Sequence, residues 1–115
     1  MNVEDIRLYA LAKDEVDEGF PFGEEVLVFK VKGKIFLLLS LDSQPLQFNA
    51  KCDPDRAINL RDQYNCIIPG YHMNKKHWNT VIVDKTLTTK QLKELIDHSY
   101  DLVSGKTKKK TARKN

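Results

Sequence analysis

Cysteine, proline and glycine are all scarce in this sequence, whose 115 residues include 2 Cys, 4 Pro and 5 Gly. Two cysteines cannot make a disulfide framework. So little Pro and Gly excludes collagen-like and low-complexity chains. Long hydrophobic runs are missing too. The longest, residues 35–41, is interrupted by Ser40 and falls far short of the ~20 residues of a membrane helix. The N-terminus reads Met-Asn-Val-Glu-Asp, with neither a basic nor an apolar stretch. No secretory signal and no membrane association are therefore expected, and the cytoplasm is the expected location. What is present is a globular balance, 41% apolar and 30% charged, in a chain long enough for one core.

The net charge of +3 conceals an asymmetry. Residues 106–115 hold six of the 19 basic residues and no acid, so the rest of the chain carries 13 basic and 16 acidic residues. The sequence divides into a mildly acidic domain over 1–105 and a basic tail over 106–115, the tail expected to be disordered. Within the domain, residues 1–25 contain eight acids and two bases. Lys30, Lys32, Lys34, Lys51, Arg56, Arg61, Lys75 and Lys76 compensate in the middle, and such asymmetry can mark an anionic partner.

Periodicity predicts a helix over 2–18, with Val3, Ile6 and Ala10 on one face. The breaker cluster Phe20-Pro21-Phe22-Gly23 follows, and its two aromatics suggest a loop packed against the domain. Strands are expected at 26–32 and 35–41 about a tight turn at Gly33, the second central because its apolar run is nearly continuous. A third is expected at 46–52, where Gln47, Asn49 and Lys51 alternate with apolar residues. Asp53-Pro54-Asp55 starts a second helix by capping, a pre-set φ and dipole complementarity. Ile67-Ile68 and 78–84 are the last two strands. Thr88 with Gln91 fits a capping box for a final helix that ends at Gly105. The fold class is α/β (α+β): a two-layer sandwich, five-stranded and antiparallel, helices on one face, in the order α-β-β-β-α-β-β-α. Its other face is expected to be wet, lined by Lys30, Lys32, Gln47, Asn49 and Lys51. Cys52 and Cys66 flank the second helix, whose ends lie roughly 16 Å apart. A disulfide needs Cα atoms within about 7 Å, so both are expected to be buried free thiols.

The most informative stretch, residues 69–80, packs Tyr71, His72, Asn74, Lys75, Lys76, His77, Trp78 and Asn79 into one connection between strands. In nucleic-acid binding, Lys75 and Lys76 would neutralise phosphates, Asn74 and Asn79 would hydrogen-bond, and Tyr71 or Trp78 would stack or pack. Trp78 opens a strand and also fits a core anchor. His72 and His77 are five apart with no Cys-x-x-Cys nearby, so no metal site and no cofactor are expected. No nucleophile elbow or phosphate-cradling glycine loop is present, so no catalytic residue is assigned and the chain is not read as an enzyme. In the last helix Asp97 and Asp101 share a face and repel mildly unless a cation lies between them, for which His98, bending across, or Lys75 or Lys76 of the 71–78 loop are candidates; the alternative is a helix that docks on that loop through polar contacts.

Residues 51–54, Leu60-Arg61, Tyr64, the run 69–81 and the run 95–103 together resemble the MmcQ/YjbR family of small bacterial proteins. Phe20-Pro21-Phe22-Gly23 and the Lys32-Gly33-Lys34 hairpin agree, and the resemblance spans about residues 2–105. It implies a fold like that of CyaY and the secretion chaperones. It also implies DNA binding by what is described as a double wing. On that reading Lys51, Arg56, Arg61, Tyr71, His72, Asn74, Lys75, Lys76, His77 and Asn79 would form the nucleic-acid contact. The alternative is a protein- or peptide-binding adaptor that uses the open sheet face. A small-molecule binder would instead need a cavity under the 71–78 loop.

Overall fold

A computed structural model describes residues 1–70 and 73–105. Their order is α1 (Val3–Leu11), β1 (Val16–Gly19), β2 (Val26–Val31), β3 (Lys34–Ser40), β4 (Gln47–Lys51), α2 (Pro54–Gln63), β5 (Ile67–Pro69), β6 (Trp78–Ile82) and α3 (Thr89–Ser104). The expected α+β fold, an antiparallel sheet with three helices, is present. The sheet has six strands rather than five, ordered β1-β2-β3-β4-β6-β5. Tyr71, His72 and the basic tail lie outside the described residues.

The extra strand comes from what reads as the end of the first helix. Asn2 and Asp5 form a capping box, but the helix stops at Leu11 with Ala12 as its cap. Glu15 then takes φ 61°, and Val16–Gly19 turns back to pair with Val28–Val31. The acidic run around Val16 has little strand propensity. Pairing with β2 decides the conformation, and periodicity within the segment cannot reveal it.

The β2–β3 hairpin turns on Lys32 and Gly33, with φ 54° and 79°, the paired left-handed conformations of a two-residue turn that matches strand twist. A register shift at Phe29/Lys30 sets Ile35 opposite Lys30 and Leu37 opposite Phe29. Phe36 is the extra residue of a β-bulge. This turns Phe36 as well as Leu37 into the core, where the Phe36 ring meets Tyr100 of α3 edge-on with centroids 5.4 Å apart. β3 is an inner strand of the sheet, as its apolar run suggests.

Leu27, Phe29, Leu37, Leu39, Phe48 and Val81 face Ile6 and Ala10 of α1 and Leu92, Leu95, Ile96 and Tyr100 of α3 in one cluster. Both caps expected for α3 are present: the Thr88–Gln91 capping box, and Gly105 in the left-handed conformation. On the sheet's other face Lys30, Gln47, Asn49 and Lys51 are half-buried, while Val28 and Leu38 pair at its centre and are buried. That face is less wet than its sequence suggests, and Lys32 belongs to the turn. Phe20 and Phe22 are 50% and 64% exposed. The expectation that their loop packs on the domain is overturned, because it closes on itself through Gly23 N–H donating to the Phe20 carbonyl. Cys52 and Cys66 are free and buried. No described helix is long and apolar enough to cross a membrane.

Candidate functional site

The antiparallel strand order decides which loops meet. Val31 and Lys34 flank the β2–β3 turn, Lys51 ends β4 opposite Trp78, and Pro69 of β5 sits opposite Asn79. The turn at 32–33, the end of β4, the start of α2 and the 70–77 loop therefore share one end of the sheet. Lys32, Lys34, Lys75 and Lys76 are exposed there and Lys51 is half-buried. None of the five forms an ion pair among the described residues. The two hairpin tips are three strand spacings apart, about 14 Å. Acids at the same end include Asp53 and Asp55, which start α2, Asp14 and Glu15 at the β1 corner, and Asp101 near the end of α3.

The 70–77 loop is built by its own polar groups. The Asn74 carbonyl accepts from the His77 and Trp78 N–H groups, at 3.1 and 3.0 Å, and its Oδ1 accepts from Lys76 N–H at 3.0 Å. The His77 carbonyl accepts from Cys52 N–H at 2.8 Å, tying the loop to the end of β4. Arg61 reaches over from α2. Its Nε donates to Asn79 Oδ1 at 2.6 Å, and Nη2 donates to the Trp78 carbonyl at 3.3 Å and to the Lys75 carbonyl. Arg61 and the buried Asn79 thus shape the loop from beneath, and the lysines remain outside. Arg56 is exposed on the first turn of α2, and Trp78 is half-buried. Of the ten residues the sequence singles out, the structure brings Lys51, Arg61, Asn74, Lys75, Lys76, His77 and Asn79 together at the loop, with Arg56 five residues before Arg61 on α2.

Asp97 of α3 finds different partners from those expected. Asp97 accepts from Tyr9 Oη at 2.7 Å and pairs with Lys13. The end of α1 replaces the 71–78 loop as the source of the cation, because β1 pairing turns Lys13 back across α3. Burial, with the Asp97 charge, pushes the Tyr9 hydroxyl up to about 12. His98 is no cation here. Its Nε2 accepts from Asp53 N–H at 3.1 Å, so the ring must be neutral at that atom. Burial first and the Arg56 charge second hold its pKa below the ordinary 6.5, against the opposing charges of Asp53 and Asp101. The unfolded chain therefore takes up this proton first. The stability that neutral His98 contributes is fully present above pH ~6.5 and is lost as pH falls from there toward the folded value. Urea midpoints at about pH 7.5 and about pH 5.5 should drop more for the wild type than for His98→Gln, which keeps an acceptor without titrating. Equal drops would remove His98 from the account.

Cys52 lies beside His98, and burial pushes its thiol up to about 11, so it is a poor nucleophile at neutral pH. The space between Cys52, His98 and Asn79 is about 10 Å³, room for a single water at most. No group of three metal-ligating side chains occurs among the described residues.

A model of the YjbR family matches residues 11–102. The chain belongs to the YjbR family. Among curated relatives, YbdF of Escherichia coli O157:H7 is 42% identical over 101 residues, covering 87% of this chain and 82% of that protein. YjbR of E. coli K12 is 28% identical over 100 residues, covering 87% and 85%. Both carry the description "uncharacterized protein". Among solved structures, the DUF419 domain of Deinococcus radiodurans protein DR2400 superposes with a TM-score of 0.86 at 41% identity, covering 90% of this chain and 78% of that one. A Pseudomonas syringae protein superposes at 0.77 with 27% identity, covering 90% and 99%.

Two residues that matter to this YjbR domain's site escape sequence reasoning. Gly70 closes the β5–β6 hairpin, donating N–H to the Trp78 carbonyl at 2.9 Å. Ser99 is fully buried, accepts from Lys51 N–H at 2.9 Å and donates to the Phe36 carbonyl at 2.5 Å. A serine on the stripe Leu92, Leu95, Ile96, Tyr100, Val103 was a readable signal, since a hydroxyl on an apolar face needs partners.

Proposed function

We propose that this YjbR domain binds DNA through the end of the sheet that carries the β2–β3 turn and the 70–77 loop. The observation that carries the reading is the gathering of Lys32, Lys34, Lys51, Lys75 and Lys76 at that end, none of them in an ion pair among the described residues. Arg61 and Asn74 hold the loop's backbone, so its lysines present charge from a fixed base and lose less freedom on contact. Two basic tips about 14 Å apart, three strand spacings, agree with a double-wing mode of contact. Lys51 and Arg56 lie between and behind the tips, and His77 belongs to the same loop. The contacts are to phosphates, so affinity is modest and salt-sensitive.

Fluorescence anisotropy of the full-length protein with random-sequence duplex DNA over a salt series tests this. Lys75→Ala/Lys76→Ala and Lys32→Ala/Lys34→Ala are each expected to lower the magnitude of the log–log salt slope by about 1–2. Lys90→Ala, on α3 away from that end, should leave it unchanged. If neutralising the lysines of 106–115 abolishes binding while both pairs leave the slope intact, the folded domain is not the DNA-binding element.

A further inference from the structure

The other end of the sheet has a different chemistry. Phe20 and Phe22 stand out of the β1–β2 loop at 50% and 64% exposure, followed by the exposed Glu24 and Glu25. Beside them a groove of about 300 Å³ runs along β1, lined by Asp17, Gly19, Phe20, Pro21, Val28 and Lys30. Its floor is Gly19 opposite Val28. Nothing lies within 4 Å of where a Gly19 side chain would begin. β1 is also an edge strand, paired with β2 on one side only. Short, charged edge strands resist promiscuous pairing, and Asp17 and Glu18 serve that purpose. Two exposed phenylalanines next to an open groove of mixed lining, with Phe20, Pro21 and Val28 beside Asp17, Glu18 and Lys30, work against it.

Charge complementarity selects the occupant. Arg7 engages Glu18 at 2.7 Å. Asp17 lies opposite Lys30 in the same groove without forming an ion pair, and Glu24 and Glu25 have no ion-pair partner among the described residues, so acids still outnumber bases along this rim. We infer that β1 and its groove accept an extended cationic segment of a partner protein, which adds as a strand beside β1. One apolar side chain of that segment fills the slot over Gly19 and Val28 against Phe20, and its lysines or arginines meet Asp17, Glu24 and Glu25. Backbone pairing supplies affinity, and the slot with its acidic rim supplies selectivity. The segment would lie along the β1 edge of the sheet, with its slot at the Gly19–Val28 end, away from the β2–β3 turn.

The probe is a synthetic heptapeptide, Lys-Thr-Lys-Thr-Leu-Thr-Lys, whose leucine and lysines share one strand face as Gly19 and Asp17 do, titrated into the ¹⁵N-labelled full-length protein by NMR, with the counterpart carrying glutamate for lysine as control. The expected result is saturable shifts confined to residues around Gly19, Phe20, Val28 and Lys30, and none with the glutamate peptide. Gly19→Val places a side chain in open space at a strand position, so the fold is retained while the slot is filled. It should weaken binding about tenfold or more, as should Phe20→Ser. The inference is overturned by the absence of binding, by shifts mapping elsewhere, or by affinity indifferent to Gly19→Val. In that last case the peptide is held by diffuse charge alone.

Discussion

Gly70→Ala is expected to lower the unfolding free energy by about 1–3 kcal/mol, the range for forcing atoms into a filled space. A Cβ on Gly70 would lie 2.9 Å from Trp78 Cβ, 3.0 Å from the Trp78 carbonyl oxygen and 3.2 Å from its carbon. These atoms belong to or adjoin the backbone of β6, so no side-chain rotation relieves the contact. Trp78 cannot retreat without disturbing three interactions: the carbonyl's bond from Gly70 N–H, its bond from Arg61, and pairing with Lys51. The hairpin that carries Lys75 and Lys76 should therefore loosen with the stability loss. DNA affinity, if the proposed surface is correct, should fall even under conditions where the domain stays folded. Urea unfolding gives the first quantity, and amide chemical shifts along β5 and β6 give the second. A midpoint within error of the wild type would mean that the strand ends part more easily than the 2.9 Å approach allows.

Ser99→Ala is expected to cost about 1–3 kcal/mol, because it leaves the buried Phe36 carbonyl without its partner and the part-buried Lys51 N–H without its acceptor. The Ser99 hydroxyl joins α3 to two neighbouring strands at once, donating to the Phe36 carbonyl and accepting from Lys51 N–H. The Phe36 carbonyl is open to this contact because the bulge at that residue takes it out of the regular ladder. Ser104→Ala is the control, since Ser104 is half-buried with only a long 3.4 Å bond to the carbonyl of Asp101. It should change stability by less than about 0.5 kcal/mol. Equal urea midpoints for the two variants would show that water or strand adjustment replaces the hydroxyl. Loss of Ser99 should also free the end of β4, moving Lys51 relative to the 70–77 loop.

Features set by local chemistry are readable from the chain, and features set by pairing are not. The caps of α3, Thr88 with Gln91 at one end and Gly105 at the other, depend on residues within one helix turn and occur as expected. The start of α2 at Asp53-Pro54 is equally local. β1 was hidden because Val16–Gly19 is a strand only by virtue of β2. The Lys13–Asp97 pair depends on that same reversal, across 84 residues. At the 70–77 loop the density of polar residues was visible, but their division of labour was not. Asn79 and Arg61 look like surface contacts in the sequence. In the fold one is buried and the other bonds to the loop's carbonyls, because α2 lies over the hairpin on the core side.

By itself, the sequence determined the α+β class, the two capped helices α2 and α3, the central place of the 35–41 strand, the two free thiols and the family. The family follows from the resemblance of motifs spread along the chain, and each of the others from composition, from periodicity or from neighbours a few residues apart. Only the tertiary structure decided the sixth strand, the partners of Asp97 and His98, the exposure of Phe20 and Phe22, and the meeting of Lys32 and Lys34 with Lys75 and Lys76. These residues are brought together by strand order, and strand order is a property of long-range pairing that no local signal encodes.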